Sequence, residues 1–372
     1  MMVDKFGKFI RGNVFKIIFY IASLGVICYL ADRVNILIES ISYLDLKIPL
    51  IIGFTVFLAY MLFYFNSSKA VKKSRTLYEV CSVVLCIFLN SIICMFVFDV
   101  IFFFTSMTGG IWYVLPVFVS LLISIYGFIH AKTLKVKRYH VKLREKVHKK
   151  VILLSDIHIG TFVNKKQLQK IIRTVNGLDC DMVIIAGDTF DEGAFEHSNL
   201  TEVSEELKKL SSKQPVYATL GNHDPTSASP EVRKFFKDSN IHLLIDEITE
   251  TENFILIGRD DVMRNPKRKS LNEIFQNIVS DKPKIVIDHN PVGIKEADRE
   301  LADIVLCGHT HRGQFFPANI FTKITYGKQG FYGYFKGTHT QSIVSAGVGY
   351  FQMPMRTGTD SEIVVIDLES IF

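Results

Sequence analysis

The chain has 372 residues, 48% of them hydrophobic and 12% aromatic, with 22% charged and a net charge of +6. That charge is too small to argue for nucleic-acid binding, and the basic residues gather beside apolar stretches, where a membrane surface explains them better. Of the six cysteines, Cys28, Cys81, Cys86 and Cys94 lie in apolar stretches and only Cys180 and Cys307 in the polar part; no disulfide framework is visible, and a reducing compartment is favoured.

Four apolar stretches have the length of roughly 20 residues that a helix needs to cross a bilayer. They run from Val14 to Leu30, Ile48 to Phe65, Tyr78 to Phe104 and Ile111 to Ile129, and predict a four-helix transmembrane unit over residues 1–131. Lys5, Lys8 and Arg11 precede the first stretch as they would a signal peptide. No small-residue cleavage site follows and three more spans do, so the stretch reads as a retained helix. The third is overlong and carries Asp99, placed by this reading near a helix end where ionisation costs little.

Orientation follows from Lys and Arg in the short flanking segments. Residues 1–13 hold three, residues 66–77 hold four and residues 131–150 hold nine, against two between the first and second spans and none from Thr105 to Gly110. Both ends of the unit should therefore face the cytoplasm, which makes the chain an integral protein of the cell membrane with a cytoplasmic C-terminal domain. Residues 132–143, with Val136 and Val141 among Lys, Arg and His, also fit an edge strand of that domain, its charge then being partly a solvated strand face.

From Val151 onward, short apolar runs alternate with amphipathic segments, the pattern of layered α/β structure. VILLSD, DMVIIAGD, PVYATLGN, KIVIDH and DIVLCGH each read as a buried strand ending in a polar cluster. Asn164 is placed to cap a helix that carries Leu168, Ile171, Ile172 and Val175 at helical spacing. A second helix is predicted from Thr201 to Leu210, and a third after Ser229 or Pro230. Further strands are predicted at Ile241 to Ile245, Phe254 to Ile257, Ser342 to Ser345 and Glu362 to Ile366.

Potential metal ligands fall at the ends of those strands. In open α/β sheets, sites form outside the carboxyl ends of strands, where residues distant in sequence converge. Asp156 and His158 are two apart, a spacing that on extended backbone points both side chains to one face, and His309 and His311 repeat it. Asp188 follows Gly187 and Asn222 follows Gly221, while His289 ends KIVIDH. A lone Asp-x-His is more often a solvated strand end, and a lone His289 more often a core histidine. Five such clusters, each at a strand terminus, point instead to a metal site.

The order SDIH, GDTFD, GNHD, DHNP and GHTHRGQ resembles the calcineurin-like metallophosphoesterases, and within them the bacterial branch with membrane-associated members. The resemblance covers about residues 132–372 and implies a four-layer α/β/β/α sandwich of two mixed sheets with helices outside. It implies two divalent metal ions. Asp156, His158, Asp188 and His311 would bind one, and Asp188, Asn222, His289 and His309 the other, with Asp188 bridging. It also implies that His223 faces the phosphate, oriented by Asp224, and places Arg356 of VSAGVGYFQMPMR near the substrate. Arg312 stands where this branch usually has Gly and would either narrow the pocket or contact phosphate; Pro225 and Thr359-Asp360 also depart from the branch pattern.

Mixed Asp, Asn and His ligation suits Mn, Fe, Zn or Ni better than Ca, which prefers oxygen shells. Two such ions activate water at neutral pH and grip phosphoryl oxygens, while His223 backed by Asp224 would supply a proton to the leaving oxygen. Asp191 reads equally as support for a ligand imidazole and as a turn carboxylate. His130, His140, His148, His197, His242 and His339 match no pattern and read as surface or packing residues. Gly327 to Gly337 has a phosphate-loop look but lacks the Gly-Lys-Ser/Thr ending, and reads as a β-hairpin or a flap beside the pocket.

The leading reading is a membrane-anchored phosphoesterase acting on a phosphodiester or pyrophosphate. Alternatives are a phosphomonoesterase or protein phosphatase on the same scaffold, or a non-catalytic membrane sensor. Expected partners are the lipid bilayer and a phosphoester substrate. Because only residues 131–150 separate the fourth span from the first ligand strand, the site should lie close to the bilayer, which favours a lipid-linked substrate.

Overall fold

The structure, a computed structural model, describes residues 23–39, 42–66, 75–107, 112, 114–191, 194–227 and 229–371. The chain forms two compact units, Met1–Ile125 and Tyr126–Phe372. The division falls inside the last apolar helix rather than after it.

The N-terminal unit is helical. Residues 23–39 form α1, followed by α2 (Lys47–Asn66), α3 (Arg75–Thr105) and α4 (Val114–Ala131), whose residues up to Ile125 belong to this unit. Among the described residues, α3 and α4 are long and apolar enough to cross a membrane by length and composition, whereas α2 contributes only the shorter apolar stretch Lys47–Tyr60. The first expected span begins outside the described residues. Asp99 is not at the end of α3; its carboxylate pairs with the Arg33 guanidinium at 2.8 Å and accepts a hydrogen bond from the Tyr29 hydroxyl. An acid among apolar helices is thus matched by a cation, the usual way of keeping such a charge. Asn90 donates to Ser124 Oγ, tying α3 to α4 within the unit.

The second unit contains two six-stranded sheets. In chain order the strands are β1 (Leu134–Leu143), β2 (Lys149–Leu154), β3 (Met182–Ala186), β4 (Val216–Thr219), β5 (Ile241–Leu243), β6 (Glu247–Glu250), β7 (Ile255–Gly258), β8 (Lys284–Ile287), β9 (Ile304–Cys307), β10 (Gly333–Lys336), β11 (Gln341–Val344) and β12 (Ser361–Ser370). The first sheet has the order β1-β12-β2-β3-β4-β5 and the second β10-β11-β9-β8-β7-β6. Strands β2 to β5 run parallel, as do β7, β8, β9 and β11.

The period of two in side-chain direction creates the layers. Val151, Leu153, Met182 and Ile184 point between the sheets and meet Leu256, Ile285, Ile287, Ile304 and Leu306 from the other side. Their alternates Ile152, Leu154, Val183 and Ile185 point outward to α5 (Lys165–Asn176), α6 (Leu200–Leu207) and α7 (Pro230–Asp238), meeting Leu168, Ile171, Leu207 and Phe236. On the far face Ile255, Ile257, Val286 and Val305 pack on α8 (Leu271–Phe275) and α9 (Ile294–Arg299). The result is the expected helix, sheet, sheet, helix sandwich. Asn164 caps α5, its side chain accepting the Gln167 amide, and Leu168, Ile171, Ile172 and Val175 are the buried face.

Residues 134–143 are the edge strand, parallel to β12 in unbroken register from Leu134↔Ser361 to Leu143↔Ser370. Arg138 pairs with Asp367 at 3.1 Å and His140 with Glu369 at 3.0 Å, so part of the basic segment is matched by acids of β12. A helix that sequence periodicity does not mark, α10 (Ala318–Phe331), precedes β10. The segment expected as a hairpin or flap is therefore split: Gly327, with φ 66°, interrupts α10, and Gly333–Lys336 pairs antiparallel with β11.

Ile184 is fully buried between the sheets. Ile184→Ala should destabilise the full-length protein by about 2–5 kcal/mol, whereas Lys135→Ala on the exposed face of β1 should change stability by less than about 0.5 kcal/mol. Thermal unfolding in detergent, followed by near-UV circular dichroism, measures both, and equal effects would contradict the two-sheet core.

Candidate metal centre

Each expected ligand lies just past the carboxyl end of a strand: Asp156 and His158 after β2, Asp188 after β3, Asn222 after β4, His289 after β8, and His309 and His311 after β9. The chain turns sharply there. Asp156, His158, Asp188, His309 and His311 all have positive φ, between 47° and 73°. Left-handed backbone costs a non-glycine residue about 1–2 kcal/mol, and it persists where surrounding structure fixes it. Backbone hydrogen bonds do so here: Asp156 N–H donates to Gly187 O, His158 N–H to Asp188 O, and Gly308 N–H to His289 O. Two glycines make room. A Cβ on Gly187 would stand 2.7 Å from the His289 ring, and one on Gly221 would overlap the Asp188 carboxylate.

The side chains gather in two groups that meet at Asp188. In the first, His158 Nε2 lies 3.1 Å from His311 Nε2, and His311 Nε2 lies 3.3 Å from Asp156 Oδ1. In the second, His289 Nε2 lies 3.1 Å from Asp188 Oδ2 and 3.2 Å from Asn222 Oδ1, which in turn lies 2.7 Å from His309 Nδ1. Asp188 Oδ2 is 3.8 Å from His158 Nε2, on the side of the first group. Ligands held about 2.0–2.2 Å from one cation stand roughly 3.0–3.5 Å from each other. Four of these spacings, His158–His311, His311–Asp156, His289–Asp188 and His289–Asn222, fall in that range, while Asn222–His309 is shorter and Asp188–His158 longer.

Protonation fits as well. Burial pushes His158 and His309 down to about 3 and His311 well below its ordinary range, leaving neutral imidazoles with a lone pair to give. Burial pushes Asp188 up, but the charge of His289 and its hydrogen bond outweigh it and hold the carboxylate ionised; against burial, the same carboxylate holds His289 well above its ordinary range, with a proton that a bound cation would displace. Asp156 is raised to about 6 by burial, a cost that a bound cation offsets. His289 Nδ1 faces the Ala186 carbonyl at 2.9 Å and His309 Nε2 faces the Tyr326 hydroxyl at 2.8 Å, so each ring's opposite nitrogen is directed at the cluster.

His223 is half-buried beside the ligands. Its N–H donates to Asp188 Oδ1 at 2.8 Å, and its ring lies between His158 and Phe351, with centroids 5.3 and 4.4 Å away. Asp224 differs from its expected part: its two oxygens accept the Phe190 and Gly221 amides at 3.0 and 2.9 Å, holding the loop that carries His223. Burial raises this carboxyl to about 7. Asp191 Oδ1 lies 3.9 Å from His158 Nδ1, on the ring's outer side.

The expectation for Arg356 requires correction. It is fully buried, and its guanidinium donates to the carbonyls of Ala346, Gly347, Gly349 and Asp360 and to Thr359 Oγ1. It sits 3.3 Å from His311 Nδ1, with both terminal nitrogens committed to those partners and its Nε buried. Arg312 is held over the Tyr332 ring, 4.4 Å from its centroid. Three neighbours escaped the sequence reading. Tyr326 touches His309, Phe351 walls His223, and the exposed Arg264 donates from Nε to the Asn222 carbonyl at 2.5 Å. Two had a nearby signal: Tyr326 lies one residue before the glycine-rich segment, and Phe351 lies within VSAGVGYFQMPMR.

Residues 149–313 match the calcineurin-like phosphoesterase family. The chain is 32% identical over 277 residues to a Danio rerio protein described as a transmembrane protein with metallophosphoesterase domain, covering 69% of this chain and 62% of that one. It is 30% identical to a Helicobacter pylori metallophosphoesterase over 59% of each chain. It is 27% identical to the Escherichia coli phosphodiesterase YaeI over 44% of this chain and 61% of the other. Residues 149–313 thus form a calcineurin-like phosphoesterase domain, the domain of metal-dependent phosphoester hydrolases. The chain spans about three fifths of the length of these relatives.

Asp188→Asn takes a charged ligand from both groups at once and should strip metal and activity together. His223→Ala should retain metal while turnover falls by about 10²–10⁴. Elemental analysis of both purified variants decides: metal loss in His223→Ala equal to that in Asp188→Asn would refute this division of roles.

Proposed function

We propose that the chain is a membrane-anchored phosphoesterase with two divalent ions, hydrolysing a phosphodiester or pyrophosphate bond in a lipid-linked substrate. In this reading residues 132–372 are the catalytic domain, residues 1–131 a four-span anchor in the cell membrane, and the active site faces the cytoplasm. The observation that carries it is the meeting of two ligand groups at Asp188. Asp156, His158, His311 and Asp188 would hold one ion, and Asp188, Asn222, His289 and His309 the other. Bound there, Mn, Fe, Zn or Ni would polarise phosphoryl oxygens and make water nucleophilic near neutral pH.

The chain's own residues supply the rest. The His223 imidazole, seated between His158 and Phe351, is placed to give a proton to the leaving oxygen. The Arg264 guanidinium, anchored by one nitrogen on the Asn222 carbonyl, has donors left for a phosphate oxygen. The phosphodiesterase name of the E. coli relative favours a diester, and the transmembrane description of the D. rerio relative, with α3 and α4, favours anchoring.

Full-length protein in detergent should hydrolyse bis-p-nitrophenyl phosphate when supplied with manganese and lose that activity on chelation. Faster turnover of p-nitrophenyl phosphate would favour the monoesterase reading, and inactivity toward both with metal bound would favour a sensor.

The topology has its own test. A reporter active only outside the cytoplasm, fused after residue 372, should stay silent, given sixteen basic residues on one side against two on the other. A strong signal would place the catalytic domain outside.

A further inference from the structure

Helix α10 turns its apolar side outward. Phe316, just before it, and Ile320, Phe321 and Ile324 within it are 50%, 48%, 66% and 74% exposed. Ile320 and Ile324 are four apart and Phe321 lies three before Ile324, so these three share one face of the helix, with the exposed Phe316 just before its start. A contiguous exposed apolar strip marks an interaction surface rather than chance exposure. Its charge narrows the partner. Ala318–Phe331 contains no acid, while Lys323 and Lys328 are exposed. Apolar residues with flanking lysines and no acid are the composition of a helix that lies in an anionic lipid surface.

Placement agrees with composition. The last residues of α4 are fixed to the loop at 355–360: Gly127 O accepts the Arg356 N–H at 3.1 Å, and His130 Nε2 pairs with Asp360 at 2.9 Å. The same loop holds the start of α10, because the Phe316 N–H donates to Thr357 Oγ1 at 3.3 Å and Thr359 Oγ1 donates to the Gln314 carbonyl at 3.2 Å. The end of an apolar helix and the base of the exposed strip are thus joined through six residues. On its other side α10 is bound to the ligand loop, by Tyr326 on His309 and by Thr310 Oγ1 on the Phe331 carbonyl. It lies beyond the residues that match the family.

We propose that α10 is an interfacial helix whose Phe316, Ile320, Phe321 and Ile324 strip enters the acyl boundary of an anionic bilayer, holding the metal centre at the lipid surface. This deepens the lipid-linked reading above and rests on α4 ending at that surface. An amphiphilic phosphoester in the same leaflet then reaches the ligands without leaving the membrane, whereas a soluble ester gains nothing from the helix.

The test uses full-length protein in phosphatidylcholine/phosphatidylglycerol vesicles, with and without brominated phosphatidylcholine as a shallow quencher. The wild type has one tryptophan, Trp112, which reports anchoring of the N-terminal unit. A Trp112→Phe/Phe321→Trp variant reports the helix, with Trp112→Phe/Ile324→Trp as a second reporter should the first misfold. The proposal expects blue-shifted emission from the helix reporter, loss of most of it to brominated lipid, and protection from aqueous iodide. Emission quenched by iodide and untouched by bromine, while Trp112 is quenched by bromine, would overturn the interfacial helix and leave anchoring intact. Absence of bromine quenching from both positions would overturn anchoring and the helix together. Neither readout depends on metal or turnover, so failure of the hydrolase reading registers separately.

Discussion

The Asp188 carboxylate is where the catalytic unit is tied together. One oxygen accepts the His223 amide and the other faces His289 and His158, so three loops from both sheets converge on a single buried side chain. A second carboxylate, Asp156, is buried in the same cluster. Two carboxylates buried in one cluster form a poor interior for a folded protein, since each loses its hydration and they repel each other. Divalent charge reverses that balance, which links metal binding to the stability of the whole rim. The tight loops and Gly187 and Gly221 follow from the same requirement, because larger residues at those two positions would push His289 or Asp188 out of place.

Around that centre, burial assigns each ionisable group a different task. His158, His309 and His311 are kept neutral and can ligate, while Asp188 is kept ionised by the histidines it faces. Asp224 and Arg356 are charged types of the kind one looks for at a reacting centre, yet both are spent on backbone: Asp224 on two amides, Arg356 on four carbonyls. They hold the loops on which His223 and His311 sit. Such groups act on the chemistry only through the residues they position.

The parts legible in the sequence were those with a period or a spacing. Strands β2, β3, β8 and β9 were readable because nearly continuous apolar runs of that length, ended by polar residues, bury both faces of a parallel strand. The ligands were readable because Asp-x-His and His-x-His fall at those ends. Helix α10 was not, since its Ile320, Phe321 and Ile324 face outward and the usual inference from apolar spacing to buried face fails there. Arg356 was misjudged for a different reason: sequence gives the charge of a guanidinium but not the carbonyls within its reach. Asp99 likewise gained its partner, Arg33, only through folding of the helical unit.

For the membrane-anchored reading proposed above, the structure changes what would keep the site near a bilayer. A basic segment before the first ligand strand is the obvious electrostatic tether, but Arg138 and His140 lie in β1 and face Asp367 and Glu369 of β12. Exposed pairs of this kind are worth little to stability, yet they reduce the net charge offered to lipid. In that reading closeness to the bilayer would depend less on diffuse charge and more on two apolar elements meeting at one loop, the end of α4 and the start of α10, both fastened to residues 355–360. Electrostatic tethering weakens with ionic strength, whereas apolar insertion does not. A site held by the second means would keep its distance from the lipid surface as salt varies, with the contact of Tyr326 on His309 linking the helix directly to the ligand loop.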